Sequence, residues 1–399
     1  MRARDEVAAD AAGGGFLAPG AVLGVLGGGQ LGRMFAQAAQ SAGYEVVVLE
    51  PQPGAPAAQV APRQICHAYD DPAGLQRMAD AAQAVTIEFE NVPAAALQWL
   101  DSHLRLAPHA AAVAVCQDRA REKALFDALG VGCVAHAEVG SEAECASVAA
   151  RDLYPAILKT RHMGYDGKGQ FRVEQGAQLL DAWRALGAVP CLLERRIDLR
   201  SELSVVLARA ADGAIVHFEP TRNAHRDGIL FSSTAGAGAV EPELARRAVA
   251  AARRIAEGLR YVGVLCVEFF VGGDGELLAN EMAPRPHNSG HHTIDSCDVS
   301  QFELQWRCLV GAPLPQPRQH SAARMLNLLG DLWFDAAGAQ REPDWRQLLA
   351  LPGAHLHLYG KHEPRRGRKM GHLCLTAATL PEVEQAARRA CACLGLQAP

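Results

Sequence analysis

The sequence predicts an α/β protein that opens with a parallel sheet. An apolar run at 21–26 leads into a glycine-rich turn at 27–32, and an alanine-rich helical pattern covers 33–42. Gly43 ends this pattern, and a second apolar run follows at 45–49. Strand, helix and strand in this order form a βαβ unit, from which parallel sheets are built.

Further patterns divide the chain into three units. Two more strand patterns complete a first α/β domain at 21–115, and a helical pattern opens a second unit at 116–310. Proline-containing links open a third, β-rich unit at 311–399. Acidic residues interrupt 1–20, unlike a secretory signal, so we expect a disordered extension there. The other expected elements are strands at 84–89, 104–107, 156–159, 171–173, 191–194, 202–208, 214–218, 264–271, 277–280, 355–359 and 372–376, and helices at 118–129, 243–259 and 381–394.

The composition is that of a globular chain without a general affinity for polyanions or membranes. Of 399 residues, 49% are hydrophobic and 21% are charged, which is enough to bury a large core. The net charge of −5 favours no nucleic-acid partner. No run approaches the ~18 apolar residues of a membrane span. Eleven cysteines without a C-x-x-C pair favour reduced thiols and a cytoplasmic location.

Lysine is rare in this chain. Of 39 basic residues only five are lysine, namely Lys123, Lys159, Lys168, Lys361 and Lys369. Composition bias accounts for the low number. Four of the five fall in glycine-rich or basic motifs. Because Lys and Arg bind anions differently, these positions indicate sites where an ammonium group contacts phosphate.

The turn Gly27–Gly32 reads G-x-G-x-x-G between a strand and a helix. Such glycines let an anion approach the helix N-terminus, and Glu50 stands where a ribose-binding acid would be. A nicotinamide-dependent dehydrogenase is therefore one hypothesis. Tight packing of strand against helix accounts for the same glycines without a ligand.

Two motifs indicate a polyphosphate and a divalent cation. Lys159 precedes the loop Gly164–Gly169, which carries a second lysine, and two lysines can hold a polyphosphate from two sides. A glycine hairpin with solvated lysines is the alternative. Glu268 and Glu281 end two strands, with Asn280 beside the second, and such oxygen ligands suit Mg²⁺.

Three polar segments leave their function open. Residues 194–197 with Glu202 offer groups for an adenine and a ribose, or form a surface charge cluster. The stiff loop 284–291 carries Arg, His, Asn and Ser side chains, although its last histidine also suits a structural role. The basic segment 359–370 fits a phosphomonoester better than a nucleic-acid duplex, or is a solvated loop.

Together these motifs resemble those of the ATP-grasp enzymes, and most closely those of the N5-carboxyaminoimidazole ribonucleotide synthase family. The resemblance runs from about residue 22 to the C-terminal helix. It rests on the strings GVLGGGQLGRM (24–34), TIEFENVP (86–93), QDRAREK (117–123), GYDGKGQ (164–170), NAHRDGIL (223–230), NEMAPRPHNSGHHT (280–293), SQFE (300–303), MLNLLGD (325–331) and YGKHEPRRGRKMGH (359–372). It implies an ATP-grasp fold with an N-terminal Rossmann-like domain, of the biotin-carboxylase type, and a small β-rich C-terminal domain.

The resemblance also implies a reaction in purine (IMP) biosynthesis. It is the ATP-dependent carboxylation of 5-aminoimidazole ribonucleotide with bicarbonate, through carboxyphosphate, to N5-carboxyaminoimidazole ribonucleotide, ADP and phosphate. The implied cofactors are ATP and Mg²⁺, or Mn²⁺ in its place. The implied assembly is a homodimer.

The implied roles fall on residues of the matching strings. Those implied to bind ATP are Arg119, Lys159, Gly164, Tyr165, Asp166, Gly167, Lys168, Gly169, Gln170, Glu194, Arg195, Arg196, Ile197, Glu202, His225, Asn280 and Glu281. The implied metal ligands are Glu268 and Glu281, and the implied catalytic residues are Tyr165, Asp166, Arg285 and His287. Those implied to bind the ribonucleotide are Gln30, Asn288, Ser289, Lys361, Arg368 and Lys369, beside an anion site at the glycine-rich turn.

Three positions depart from the family pattern, and related families remain alternatives. Met163 replaces a frequent glycine, Leu199 a frequent aromatic residue and Arg222 a usually acidic one. Biotin carboxylase and formate-dependent glycinamide ribonucleotide transformylase are similar in fold but lack the string at 359–372. A non-catalytic nucleotide-binding module is a further alternative, which Lys159 and the paired carboxylates argue against.

Overall fold

In this computed structural model the described residues are 15–61, 63–164, 169–335 and 337–398. The sequence predicts a disordered extension at 1–20, and residues 1–14 of it lie outside the described part of the chain. From Gly15 onward the chain packs against the fold: Leu17 N donates to Val310 O at 2.9 Å, and Arg105 Nη2 donates to Gly15 O at 2.7 Å. The end of the expected extension is therefore ordered, which corrects that expectation. Within the described ranges, no helix combines the length and the apolar character that crossing a membrane requires.

The first unit is the predicted parallel sheet covered by helices. Its elements are β1 (Val22–Leu26), α1 (Gln30–Ser41), β2 (Glu45–Leu49), β3 (Arg63–Ile65), α2 (Pro72–Ala81), β4 (Ala84–Ile87), α3 (Ala94–Asp101), β5 (Arg105–Leu106) and α4 (Ala110–Cys116). The order is β3-β2-β1-β4-β5, and all neighbours are parallel. Aliphatic side chains are buried on both faces, which explains the nearly continuous apolar runs. The turn Gly27–Gly32 and the segment 88–93 follow neighbouring strands and so lie at one edge of the sheet.

A four-stranded antiparallel sheet forms a lobe with its own core. It follows α5 (Arg119–Ala128), and its elements are β6 (His136–Val139), α6 (Glu142–Ala149), β7 (Ala156–Thr160), β8 (Gln170–Val173), α7 (Leu179–Ala185) and β9 (Cys191–Arg195). The strand order is β6-β9-β7-β8. Helices α6 and α7 pack against this sheet in a cluster that includes Leu158, Trp183 and Leu193. Because Lys159 pairs with Leu192, it lies diagonally beside Glu194 on one face.

A nine-stranded sheet joins the second and third predicted units. Its strands are β10 (Leu199–Arg209), β11 (Ile215–His217), β12 (Thr221–Arg226), β13 (Ile229–Ala235), β14 (Gly263–Gly272), β15 (Leu277–Ala283), β16 (Ala322–Leu329), β17 (Ala354–Leu358) and β18 (Lys369–Ala377). The order is β15-β14-β10-β12-β13-β16-β18-β17, with β11 on β10. Since β16 pairs with β13, the sheet continues across residue 311. The helices of this part are α8 (Pro242–Gly258), α9 (Thr293–Ser296), α10 (Gln301–Val310), α11 (Trp345–Leu349) and α12 (Leu380–Leu394).

Strands β3, β6, β12, β13 and β16 are absent from the sequence prediction. On β12 the buried side is polar: Asn223 Nδ2 donates to Ser204 Oγ at 2.5 Å, and Asn223 Oδ1 accepts from Ser233 Oγ at 2.8 Å. Neighbouring strands thus satisfy polar groups where a sequence pattern would require apolar ones. The predicted elements are present, with bounds shifted by at most three residues.

Candidate active site

Two neighbouring cavities contain most of the candidate residues. The large cavity, about 740 Å³, is lined by the edge of the parallel sheet, the loop after β15 and the basic segment 361–369. The small cavity, about 410 Å³, is lined by residues of the four-stranded and nine-stranded sheets. The residues that line both are Arg119, Glu268, Glu281, His287, Asn288 and Lys369. The two cavities therefore share one wall.

Two carboxylates lie opposite each other on this shared wall. Glu268 of β14 is the register partner of Glu281 of β15. Burial and the carboxylate of Glu281 raise the pKa of Glu268 to about 7. Burial also acts to raise the pKa of Glu281, but Arg119, whose Nη1 is 3.0 Å from Glu281 Oε2, lowers it. A cation near both carboxylates would relieve their repulsion.

The oxygen atoms of this wall fit a hard divalent cation. Besides the two carboxylates, Asn280 Oδ1 is buried without a hydrogen-bond partner. Such an atom is costly unless a donor or a cation satisfies it. Mg²⁺ binds carboxylate and amide oxygens and keeps positions for water and substrate phosphates. Glu268, Asn280 and Glu281 therefore suit Mg²⁺.

A buried glutamate at the far end of the small cavity is held by two lysines. Lys159 Nζ is 2.6 Å from Glu194 Oε2, and Lys123 Nζ is 3.6 Å from Glu194 Oε1. Burial acts to raise the pKa of Glu194, but the lysines lower it to about 2. Burial lowers the pKa of Lys159. Lys123, to which the sequence analysis assigned no role, is fully buried.

The rim of the small cavity is formed by 194–197 and by a pair on the nine-stranded sheet. The guanidinium groups of Arg195 and Arg196 pair with carboxylates of the lobe at 3.0 and 2.9 Å, and their backbone N–H groups donate to carbonyls at 2.8 Å. These arginines are thus tied into the lobe. Glu202 and His225 are in direct contact. Burial acts to lower the pKa of His225, but Glu202 raises it.

The glycine-rich turn is filled by the protein's own carboxylates. Glu88 accepts the N–H groups of Gly29 and Gly32 at 2.8 and 2.6 Å. Glu50 accepts the N–H of Gly28 at 2.9 Å. Burial raises the pKa of Glu88 to about 7. A phosphate would have to displace both carboxylates, so the expected anion site at this turn is corrected and the dehydrogenase hypothesis loses its binding site.

Gly32→Ala is expected to lower the free energy of unfolding by about 2 kcal/mol. Its Cβ would stand 2.7 Å from Gly27 O and 2.8 Å from Glu88 Oε2, so the turn or the carboxylate must move. Denaturant unfolding measures the change. Gly132→Ala is the control, because a Cβ there meets atoms only at 3.5 Å and beyond. Equal stability of Gly32→Ala and wild type would contradict the close packing of Glu88 on the turn.

On the large-cavity side, Arg285 is bound to Glu90. Arg285 Nε and Nη2 contact the two Glu90 oxygens at 2.6 and 3.2 Å. Burial acts to raise the pKa of Glu90, but Arg285 lowers it. The pair joins the segment after β4 to the loop after β15. Arg285 Nη1 also donates to Pro286 O at 3.3 Å, so a contact with a substrate anion would use the second N–H of Nη1.

His287 lies at the junction of the cavities as a neutral imidazole. Burial lowers its pKa far below the usual value. Its Nδ1 accepts the Ser289 N–H at 3.3 Å, so its proton lies on Nε2, which is 3.3 Å from Glu268 Oε1. In this tautomer the protonated nitrogen is the one nearer to Glu268. Ser289 is fully buried and lies outside the lining of both cavities, so it supports His287 rather than facing a ligand.

Cations crowd the outer end of the large cavity. The lining residues there are Gln30, Lys361, Arg365, Arg366 and Arg368, and the neighbouring Lys369 lies on the shared wall. Lys361 Nζ donates to Lys369 O at 2.7 Å, and Arg368 Nη1 donates to Glu363 O at 2.8 Å, so the segment is ordered by its own bonds. Concentrated positive charge at one end of a cavity suits a phosphomonoester.

The implied residues Tyr165, Asp166, Gly167 and Lys168 lie outside the described part of the chain. Their flanks are described. Gly164 lines the large cavity and Gln170 lines the small one. Gly169 has φ 70°, in the left-handed region that glycine adopts without strain. The two described flanks of the loop thus lie at different cavities.

Two of the three departures from the family pattern face the cavities. Met163 has φ 62°, and so occupies a conformation that glycine adopts freely and methionine adopts at a cost of about 1 kcal/mol. Its side chain is 68% exposed and lines the large cavity. Leu199 lines the small cavity. Arg222 lines neither cavity and lies 3.9 Å from Glu384.

His291, His357 and His372 form a cluster of ring contacts. The rings of His291 and His372 lie 4.8 Å apart, and those of His372 and His357 lie 4.5 Å apart and almost parallel, at 12°. His357 Nε2 pairs with Asp295 Oδ2 at 2.9 Å. Stacked rings cannot direct their in-plane lone pairs at one ion, so this cluster does not form a metal site.

Sequence reasoning missed several residues of the large cavity. Glu88, Glu90, Glu122 and Arg161 line it, and none was assigned a role. Glu88 and Glu90 follow β4, beside the turn that follows β1, and ligand sites of parallel sheets lie at the carboxyl ends of neighbouring strands. That position was the available signal. Glu122 gave no comparable signal, because it lies within a helix.

Comparison with known proteins agrees with this architecture. Three family models match consecutive parts of the chain: the ribonucleotide synthetase preATP-grasp domain at 21–117, the ATP-grasp domain at 124–302 and the phosphoribosylaminoimidazole carboxylase C-terminal domain at 323–386.

Relatives match over nearly the whole length. An N5-carboxyaminoimidazole ribonucleotide synthase of Brucella melitensis is 44% identical over 359 residues, 90% of this chain and 96% of the relative. One of Bacillus subtilis is 39% identical over 355 residues, 89% of this chain and 91% of the relative. The crystal structure of an Aspergillus clavatus N5-carboxyaminoimidazole synthase with ADP and 5-aminoimidazole ribonucleotide has a TM-score of 0.84 and 29% identity, covering 94% of this chain and 98% of that one.

The matched domains, and the paired carboxylates between two cavities, define an ATP-grasp ligase. This confirms the predicted ATP-grasp fold. Within that class the chain belongs to the N5-carboxyaminoimidazole ribonucleotide synthase family, as the sequence resemblance indicated.

Proposed function

We propose that the protein uses ATP and bicarbonate to carboxylate 5-aminoimidazole ribonucleotide, giving N5-carboxyaminoimidazole ribonucleotide, ADP and phosphate in purine biosynthesis. The observation behind this proposal is the wall shared by the two cavities. A reactive intermediate formed there reaches an acceptor in the large cavity without crossing bulk water, which would hydrolyse it. The Aspergillus clavatus relative binds both ADP and 5-aminoimidazole ribonucleotide.

ATP is placed in the small cavity. Lys159 supplies a buried ammonium group for its phosphates, and the Glu202–His225 pair stands at the rim. The γ-phosphoryl group then faces the shared wall, where Arg119 is available to neutralise charge. Mg²⁺, when bound by Glu268, Asn280 and Glu281, supplies further neutralisation of the phosphate charge.

The first step makes a usable electrophile. A bicarbonate oxygen attacks the γ-phosphorus of ATP, the bond to the β,γ-bridging oxygen breaks, and ADP leaves carboxyphosphate behind. Arg119 and the Nη1 edge of Arg285 are proposed to hold the anions in line, and His287 keeps Glu268 oriented.

The second step takes place in the large cavity. The exocyclic amine of the ribonucleotide attacks the carbon of carboxyphosphate, or of CO₂ released from it. On either route the carbon–oxygen bond to phosphate breaks and the nitrogen loses a proton. The phosphate of the ribonucleotide is placed at the cationic outer end, with Lys361 and Arg368 among the contacts. The match to the phosphoribosylaminoimidazole carboxylase C-terminal domain at 323–386 favours this acceptor over biotin or glycinamide ribonucleotide.

ADP release measured with and without each reactant tests this function. We expect release to require both 5-aminoimidazole ribonucleotide and bicarbonate, with an increase of at least about 10-fold when the ribonucleotide is added. Labelled bicarbonate should enter the product. Glycinamide ribonucleotide with formate should give no increase. ADP release that ignores the ribonucleotide would overturn the substrate assignment while leaving the ATP-grasp class intact.

The homodimer and the cytoplasmic location stay predictions. Light scattering of the purified chain tests the homodimer. A scattering mass equal to the 42.5 kDa of one chain would contradict it.

A further inference from the structure

Two consecutive side chains of β15 face the same cavity. Asn280 and Glu281 both line the small cavity, although successive side chains of a regular strand point to opposite faces. The pairing with β14 explains this. Glu268 is opposite Glu281, while the next residue, Phe269, is opposite Ala279. Asn280 is therefore the extra residue of a β-bulge, and the bulge brings a carboxamide and a carboxylate to one place.

The bulge leaves backbone groups that the ladder does not pair. β15 is also the edge strand of the nine-stranded sheet, and within the described ranges its other side carries an isolated bridge between Ala279 and Cys133 rather than a further strand. Unpaired backbone groups at a buried position are costly. They must be satisfied from another element if the bulge is to keep its shape.

Adjacent side chains of α5 supply these bonds. Lys123 Nζ donates to Asn280 O at 2.7 Å and lies 3.4 Å from Ala279 O. Glu122 Oε1 accepts the N–H of Met282 at 2.5 Å. The two contacts lie on either side of Glu281, which is thereby held between them.

The burial of these two side chains argues for a specific role. Lys123 is fully buried and Glu122 is 2% exposed. Burying a charged side chain costs free energy, so we expect one to be kept where the bonds it makes are needed. Arg119 lies one turn earlier on the same face of α5 and binds the side chain of Glu281 at 3.0 Å. One face of this helix thus contacts the backbone and the side chains of the bulge.

We propose that Glu122 and Lys123 are positioning residues that hold the β15 bulge, so that Asn280 and Glu281 present their oxygens together to the cation of a metal–nucleotide complex. The cation in this proposal rests on the proposed function. The bulge and its two contacts do not.

The first test measures the bulge directly. Hydrogen exchange of a peptide covering 277–284 should be at least about 10-fold faster in Glu122→Leu than in wild type, because the Met282 N–H loses its acceptor. Glu122→Gln keeps an acceptor oxygen and should exchange like wild type. Glu257→Leu, an exposed glutamate of α8, is the matched control. Unchanged exchange in a folded Glu122→Leu protein would overturn the proposal, whatever the protein binds.

The second test measures the effect on the cation. Calorimetry gives the affinity for ADP in EDTA and in excess Mg²⁺, and the ratio reports the contribution of the cation. We expect Glu122→Leu and Lys123→Met to reduce this ratio at least about fivefold. Glu122→Gln should keep the wild-type ratio. A ratio unchanged in both variants would overturn the positioning role. A wild type that binds no ADP in either condition would instead overturn the proposed function, and the exchange result would still decide the bulge.

If Glu122→Leu fails to fold, Lys123→Met serves in both tests, since it removes the donor to Asn280 O and Ala279 O. It also removes the 3.6 Å contact with Glu194, which acts on ADP with and without Mg²⁺ alike and so leaves the ratio to report the bulge. Its methionine keeps most of the buried volume. Wild-type exchange and a wild-type ratio in that variant would overturn the proposal for Lys123.

Discussion

Glu281→Gln is expected to lower Mg²⁺-dependent ADP release by at least about 100-fold while the chain stays folded. The substitution keeps the shape of the side chain but removes the charge opposite Glu268. It also replaces the ion pair with Arg119, at 3.0 Å, by a hydrogen bond to a neutral carboxamide. Losing that ion pair lowers the stability of the fold, while relieving the repulsion from Glu268 raises it. The free energy of unfolding should therefore change by only about 1 kcal/mol.

Steady-state ADP release at several Mg²⁺ concentrations checks this prediction. Glu276→Gln is the control, because Glu276 is an exposed carboxylate in the turn between β14 and β15 and lines neither cavity. Near-wild-type turnover of Glu281→Gln at every Mg²⁺ concentration would remove Glu281 from the proposed ligands.

Lys159→Met is expected to have two separable effects. It removes a charged donor from the small cavity, which should weaken ADP binding by about 30- to 100-fold. It also leaves Glu194, a buried carboxylate whose Oε2 is 2.6 Å from Lys159 Nζ, without its nearest partner. Breaking a buried pair from one side costs about 3 kcal/mol of stability. Calorimetry with ADP and denaturant unfolding measure the two effects.

The double variant Lys159→Met/Glu194→Gln separates them. A neutral carboxamide no longer needs an ammonium partner, so at least half of the lost stability should return. ADP affinity should not return, because the phosphate contact is still missing. Arg254→Met, at an exposed position of α8, controls for the change from cation to methionine. Recovery of both properties would show that Lys159 acts only through Glu194.

The parallel sheet and the ATP-grasp strings were predictable because their signals are local. Strands buried on both faces, such as Glu45–Leu49, are nearly continuous apolar runs. The residue types of a phosphate or magnesium site are restricted by chemistry, so Lys159, Glu268 and Glu281 could be proposed without coordinates. Met163 was recognised as a departure from the glycine that the resemblance implied, and its φ of 62° is one that glycine adopts without strain.

Other features depend on residues far apart in the chain. The glycine-rich turn looked like an anion site, but Glu88, from a neighbouring strand, occupies its amides. Strand β12 is polar along its buried side, and its partners Ser204 and Ser233 come from the strands on either side. Ser289 stands in a motif that we expected to bind the ribonucleotide, yet its hydroxyl contacts His287. No repeating pattern of residues along the sequence indicates any of these contacts.

The five lysines show the same division. Their scarcity and the motifs around four of them were visible in the sequence and indicated phosphate contacts, because local composition and residue chemistry suffice for that inference. The role of Lys123 depended on the folded chain, in which α5 passes behind the bulge of β15 and brings the ammonium group to Asn280 O and Glu194. Burial and pairing between distant segments arise only when the sheets pack, and they decide which polar residues face a ligand and which hold the site in shape.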